Sequence, residues 1–250
     1  MKQNVIYALD FDGVICDSAF ETGMAAWKAA TELWPDMRDV DSAPFIEQFR
    51  KARPILETGY EALLILRLLF QGQTLESLLK DFNALKSALI EREHLDITEL
   101  KNLFSATRDA WIRDFLDEWL QMNPLFPGVQ QKLQRLVAEC TWYILTTKQE
   151  RFVLEILQAH QLVIPKQRLF GLDANIPKTQ VLTNLLEQHP GSPILFVEDR
   201  LEALIKVKDD PQLQGIQLQL ADWGYNTDLD RREAQRRDIK IIGLDDFLND

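Results

Sequence analysis

The sequence predicts an α/β protein in which a parallel sheet wrapped by helices is interrupted by an all-helical insertion. Three observations predict it. An apolar, β-forming run, Asn4–Asp10, stands near the start. The chain from Cys16 to Asn123 shows helical periodicity and no convincing strand. After Asn123, strand-like and helix-like segments alternate to the end, the pattern of a parallel sheet with crossover helices.

The first run is nearly continuous in hydrophobicity, which suits a strand buried on both faces. It ends in Asp-Phe-Asp-Gly. Met24, Trp27 and Leu33 mark a first helix. Leu75, Leu78, Leu79, Phe82, Leu85 and Leu89 recur at three- and four-residue spacing, with Thr74 as N-cap. Leu100, Leu103, Phe104, Trp111, Phe115 and Trp119 mark another helix, opened by Thr98. The apolar run Ala62–Phe70 contains Arg67 and is far too short to span a bilayer. The first strand is separated from the rest of the core by roughly 110 residues, too many for a crossover loop, so an inserted helical lid accounts for the gap.

The texture changes at Asn123-Pro-Leu-Phe-Pro-Gly128, where two prolines and a glycine punctuate the chain. A helix with Val129, Leu133, Leu136 and Val137 precedes the strand Thr141–Thr146. A helix with Phe152, Ile156 and Leu157 follows, then a short strand near Leu169 and Phe170, and a helix with Val181, Leu182, Leu185 and Leu186. The strand Ile194–Val197 ends in Glu198-Asp199, and Ile216–Leu220 and Ile239–Ile242 are the last strand candidates. The boundaries that result are a core of residues 1–16 and 124–250 and a helical insertion of 17–123.

Composition narrows the function. The 250 residues are 46% apolar, enough for a sizeable core. Lys and Arg total 28 against 39 Asp and Glu, a net charge of −11, which disfavours a nucleic-acid-binding surface. A local basic pocket with a metal ion still suits an anionic substrate. Cys16 and Cys140 sit in no CxxC pattern and read as reduced thiols. No signal peptide or membrane span is visible, so the expected location is the cytoplasm. Oligomeric state is not legible.

Ligands of open parallel sheets bind at the carboxyl ends of the strands. Here three such ends carry reactive groups: Asp10 and Asp12, Thr146 and Thr147, Glu198 and Asp199. Lys178 lies beside a helix start in the neighbouring segment. One carboxylate of the first pair could attack while the other manages a proton. Carboxylates held together repel, a divalent cation relieves the repulsion, and oxygen ligands without Cys or His favour Mg2+. Taken singly, each feature also reads blandly: a turn, a helix cap, a surface lysine.

Together these residues make the chain resemble the haloacid dehalogenase superfamily of aspartyl-phosphate hydrolases, closest to its phosphoglycolate phosphatase-like branch. The resemblance covers residues 4–22 and 124–225. It implies a Rossmann-like parallel sheet with helices on both faces and an inserted helical cap. Its first motif is Asp10-Phe-Asp-Gly-Val-Ile-Cys-Asp-Ser18, which implies Asp10 as nucleophile and Asp12 as acid/base. The second is Tyr143-Ile-Leu-Thr146-Thr-Lys148, implying that Thr146 binds the transferring phosphoryl group. The third is a single lysine, Lys178 in Ile-Pro-Lys-Thr or, as runner-up, Lys148. The fourth, Ile194-Leu-Phe-Val-Glu-Asp-Arg200, implies Asp199 as a magnesium ligand, with Glu198 or Glu202 as the assisting acid. The implied ligand set is Asp10, Asp12, Glu198 and Asp199.

The expected activity is Mg2+-dependent hydrolysis of a small-molecule phosphate monoester through an aspartyl-phosphate, with no nucleic acid or membrane partner. Alternatives are a phosphosugar mutase of the same superfamily and a non-catalytic module on this scaffold. An acid at Asp12 favours an ester over a carbon–halogen bond, because halide leaves unprotonated. The amide of Thr147, read as opening a helix, is a candidate substrate contact. In the segment Arg50–Tyr60, Arg53 is a second, unless that segment is a plain helix–helix connection. Asp222-Trp-Gly-Tyr-Asn226 is similar to a family stretch but reads best as an aromatic-packed turn.

Overall fold

A computed structural model describes residues 5–249; Asn4 of the expected first strand lies outside them. The chain forms two compact units. One holds the described residues up to Asp17 and those from Pro124 onward; the other is Ser18–Asn123.

Strand β1 (Ile6–Leu9) opens the first unit. The second unit carries α1 (Ala19–Leu33), α2 (Ala43–Ala52), α3 (Glu61–Phe70), α4 (Leu75–Glu93), α5 (Ile97–Asp114) and α6 (Leu116–Gln121). The first unit resumes with α7 (Val129–Glu139), β2 (Thr141–Leu145), α8 (Glu150–Ala159), β3 (Leu169–Phe170) and α9 (Lys178–Gln188). It ends with β4 (Ile194–Glu198), α10 (Leu201–Lys208), β5 (Ile216–Ala221), α11 (Asp228–Arg236), β6 (Lys240–Ile242) and α12 (Leu244–Asn249).

The six strands make one parallel sheet in the order β3-β2-β1-β4-β5-β6. β1 is central, with Ile6 opposite Thr141 on one side and Ile194 on the other. Its four residues are all buried, as a strand covered on both faces requires. Ile6, Ala8, Tyr143, Leu145, Ile194 and Phe196 turn to one face and pack with Val181, Leu182, Leu185, Leu201, Leu204 and Val207 of α9 and α10. On the other face the Lys132 ammonium of α7 sits 5.1 Å from the Tyr7 ring and 5.4 Å from the Phe247 ring of α12. Helices therefore cover both faces. Strand order reverses between β1 and β4, the switch point at which doubly wound sheets open a crevice beyond their carboxyl ends.

The chain leaves and re-enters this unit through paired segments. Asp17 N–H donates to the Pro124 carbonyl at 2.9 Å and Phe126 N–H to the Ile15 carbonyl at 3.0 Å.

The second unit is all helical among the described residues. α3 is buried almost all round, so its continuous apolar run marks a core helix. The Thr74 hydroxyl caps α4 by accepting from the Ser77 amide at 3.1 Å. α4 kinks at Asp81 (φ −153, ψ 56), inside the run that the periodicity reads as one helix. Two further expectations need correcting. α5 is capped by Asp96, whose carboxylate accepts from the Thr98 and Glu99 amides at 2.7 and 3.0 Å, so the helix starts ahead of Thr98. The apolar periodicity from Leu100 to Trp119 also spans two helices, because Phe115 leaves helical geometry (φ −145, ψ 54) and starts α6. Glu21 is fully buried; Arg108 donates to both its oxygens at 2.7 and 2.9 Å, and the Trp119 indole donates to it at 2.9 Å. No helix among the described residues is long and apolar enough to cross a membrane.

Candidate active site

At the switch point β1 delivers Asp10 and β4 delivers Glu198 and Asp199. The Asp10 amide donates to the Val197 carbonyl at 2.9 Å, continuing the β1–β4 ladder one residue past the strand. One carboxylate oxygen from each of Asp10, Glu198 and Asp199 lies within 4.8 Å of the others, and all three residues are buried. Lys178, the first residue of α9, reaches over this trio. Its ammonium donates to Asp10 Oδ1 at 2.5 Å and to Glu198 Oε2 at 2.7 Å. The other Glu198 oxygen accepts from the amides of Asp199 and Arg200 at 3.1 and 3.0 Å, so Glu198 is held at both ends.

Asp12 lies outside the trio. Its carboxylate accepts from the Lys148 ammonium at 3.1 and 3.5 Å. The two candidate lysines are thus separated by partner: Lys178 meets Asp10, Lys148 meets Asp12. Glu202, the other candidate for the assisting acid, is exposed and pairs with Arg200 at 3.7 Å.

Electrostatics follow from burial. Desolvation, reinforced by the nearby Glu198 charge, pushes the Asp10 carboxyl up to about 7 despite Lys178. Asp199 is also raised, by burial first and then by Glu198 and Asp10. Burial works to lower Lys178, but the charges of Asp10 and Glu198 outweigh it and hold the ammonium above the usual lysine range. Four carboxylates (Asp10, Asp12, Glu198, Asp199) against two ammonium groups (Lys148, Lys178) leave two negative charges, 4 − 2, when all are ionised. One divalent cation would balance that excess, and a set of hard oxygen donors without His or Cys fits Mg2+.

Glycine shapes the turn after β1. Gly13 has φ +94, and a Cβ there would lie 2.0 Å from Asp199 Oδ2. The segment after β5 closes the same corner. A Cβ on Gly224 would lie 2.3 Å from Asp199 Cβ and 2.4 Å from the Gly13 carbonyl oxygen. The Tyr225 amide donates to Asp199 Oδ2 at 2.7 Å, and the Tyr225 hydroxyl donates to Asp17 at 2.9 Å. The Trp223 indole donates to the Val14 carbonyl at 3.2 Å, and the Asn226 amide group to the Asp199 carbonyl at 3.0 Å. This segment is a turn, as expected, and it also clamps the first and fourth motifs together. An aromatic-glycine-aromatic sequence at a strand end was the one available signal.

Thr146 is buried just past β2, and its hydroxyl accepts from the Lys148 amide at 3.1 Å. Thr147 is exposed and does not open a helix: α8 begins at Glu150, because residues 147–149 bend before the first helical turn. Arg53 belongs to the helical unit, in a short 3-10 turn at the end of α2. The connection that follows is ordered by Glu61, which accepts from the Glu57 and Thr58 amides at 2.8 and 2.9 Å and from Lys86 at 2.6 Å.

No protein-family model matches the sequence, and no curated protein matches it. Solved structures do. A predicted phosphatase from Clostridium acetobutylicum aligns over 99% of this chain and 97% of its own, with a TM-score of 0.61 and 13% identity. A predicted phosphoglycolate phosphatase from Haemophilus somnus aligns over 100% and 97%, with a TM-score of 0.60 and 18% identity. A haloacid dehalogenase-like hydrolase from Streptococcus pneumoniae aligns over 97% and 94%, with a TM-score of 0.57 and 19% identity. The chain therefore has the fold of haloacid dehalogenase-like hydrolases over nearly its whole length.

Proposed function

We propose that this chain is a phosphatase of the haloacid dehalogenase superfamily that hydrolyses a small-molecule phosphate monoester through an aspartyl-phosphate on Asp10. The observation that carries the reading is the Asp10–Glu198–Asp199 trio at the sheet's switch point, bridged by Lys178 and flanked by the Asp12–Lys148 pair.

Asp10 attacks phosphorus in line with the ester oxygen. The P–O ester bond breaks, its electron pair passes to the leaving oxygen, and Asp12 supplies the proton. In the second step water attacks phosphorus, Asp12 takes its proton, and the aspartyl O–P bond breaks to return the Asp10 carboxylate. Ester and water become alcohol and phosphate. Lys178 holds one Asp10 oxygen, which leaves the other to attack. In this reading Thr146 and Lys178 serve the phosphoryl oxygens as these gather charge. Mg2+ held by Asp10, Glu198 and Asp199 would neutralise phosphoryl charge and let Asp10 ionise near neutral pH.

The helical unit is read as the cap, with Arg53 as a candidate contact for the leaving group. Arg53→Ala should raise KM for the true substrate and leave kcat little changed.

The test is phosphate release from a panel of phosphorylated metabolites with Mg2+. The wild type should release phosphate from some of them and Asp10→Asn from none. Isomerised product without net phosphate would identify a mutase instead. Failure on every ester would leave a non-catalytic module.

A further inference from the structure

We infer that Lys148 is a positioning residue for the proton-transferring carboxylate: it holds Asp12 in place for the leaving oxygen and apart from the Asp10–Glu198–Asp199 trio. The inference rests on the phosphatase reading and on Asp12 as its acid.

The geometry separates the two lysines by task. Lys178 spends its ammonium on Asp10 and Glu198, at 2.5 and 2.7 Å. Lys148 faces both oxygens of Asp12, at 3.1 and 3.5 Å, so it restrains the plane of the carboxylate as well as its distance. The Lys148 side chain is 5% exposed, which removes competition from water. Its backbone is fixed on both sides. The Lys148 amide donates to Thr146 Oγ1 at 3.1 Å, and its carbonyl accepts from the Leu172 amide at 3.0 Å. A Cβ at Gly171 would lie 2.7 Å from that carbonyl oxygen, so the β3 loop packs directly on it. A lysine that only balanced charge would not need its backbone bolted to two neighbouring strand ends.

Asp12 needs such a hold. It sits in the turn after β1, and its side chain is 19% exposed, the most open of the four site carboxylates. The three buried acids of the trio, Asp10, Glu198 and Asp199, would compete for any cation bound there. A carboxyl group moved by about 1 Å loses much of its catalytic advantage, on the order of a hundredfold.

The experiment compares kcat/KM for two kinds of leaving group. One substrate is p-nitrophenyl phosphate, whose phenolate leaves without a proton. The other is the alkyl monoester that the wild type hydrolyses fastest in the panel. Because kcat/KM reports ester cleavage, the alkyl-to-aryl ratio isolates protonation of the leaving oxygen. Asp12→Asn should lower that ratio, since general acid catalysis contributes roughly 100- to 10,000-fold. Lys148→Met should lower it in the same direction by about tenfold or more, and Lys148→Arg should recover part of the loss. If Lys148→Met slows both substrates equally, Lys148 acts as a structural or phosphate-binding cation; if it leaves both unchanged, Lys148 has no part in turnover; either result overturns the inference while the phosphatase reading stands. If Asp12→Asn leaves the ratio unchanged, or the wild type hydrolyses no alkyl ester, the reading beneath it fails and the inference with it. Circular dichroism melts of each variant separate misfolding from the ratio, which is blind to the fraction of active enzyme.

Discussion

The backbone amide of Tyr225 donates to Asp199 Oδ2 at 2.7 Å, and the hydroxyl of the same tyrosine donates to Asp17, the last residue before the helical unit begins. One residue therefore ties a candidate metal-binding carboxylate to the chain segment where the two units join in sequence. Its neighbour Gly224 makes this possible, because any side chain there would meet Asp199 Cβ at 2.3 Å and the Gly13 carbonyl at 2.4 Å.

Gly224→Ala should then displace Asp199. Overpacking of this kind costs about 1–3 kcal/mol, read as a lower urea midpoint. It should also weaken Mg2+ binding, measured by calorimetry on the intact protein, whereas Tyr225→Phe, which keeps the backbone donor, should leave Mg2+ binding close to wild type.

Lys178→Met removes the cation from two buried carboxylates. Breaking a buried ion pair from one side typically costs roughly 3–5 kcal/mol. Thermal melts in chelator should show the loss, and added Mg2+ should raise the melting temperature of this variant by more than it raises that of the wild type. An equal rise in both would mean that the cation does not bind where Lys178 acts.

The raised Asp10 carboxyl sets a pH dependence. A folded value of about 7 against 3.8 for the ordinary carboxyl means that the folded state binds the proton more tightly. Stability from this group is complete below about 3.8 and is lost as pH rises through about 7. Asp10→Asn mimics the neutral form, so in chelator its urea midpoint should exceed that of the wild type by an amount that grows from pH 5 to about 8. Mg2+ should shrink the difference by stabilising ionised Asp10. A pH-independent difference would contradict the electrostatic account.

In the helical unit, Glu21→Ala would leave the largely buried Arg108 guanidinium and the Trp119 indole without their shared acceptor. A loss of about 3–5 kcal/mol is expected by chemical denaturation. Glu21→Gln, which keeps one acceptor oxygen, should lose less.

What the sequence makes visible is local and periodic. The acid pair Asp10 and Asp12, the threonine and acid ends of β2 and β4, and the alternation after Asn123 all follow from neighbouring residues. Partners far apart in sequence are not visible. Glu21 meets Arg108 across 87 positions and Lys148 meets Asp12 across 136, and no spacing rule encodes either pair. The break at Phe115 carries no Gly or Pro to announce it, so apolar periodicity ran straight through it. Asp96 outranked Thr98 as the α5 cap because its carboxylate meets two amides at once. The turn at Trp223–Asn226 was legible as a turn, but its hold on Asp199 depends on β5 lying beside β4, which only the sheet order reveals.

The central claim is that Asp10 carries the phosphoryl group. The direct measurement is to mix enzyme, Mg2+ and a hydrolysed ester, quench in acid during turnover, reduce with borohydride and identify residue 10 by mass spectrometry. An aspartyl-phosphate at Asp10 is reduced to homoserine, and that residue is predicted at position 10 in the wild type and absent from Asp10→Asn. Sustained phosphate release with Asp10 recovered unmodified, or full activity in Asp10→Asn, would contradict it.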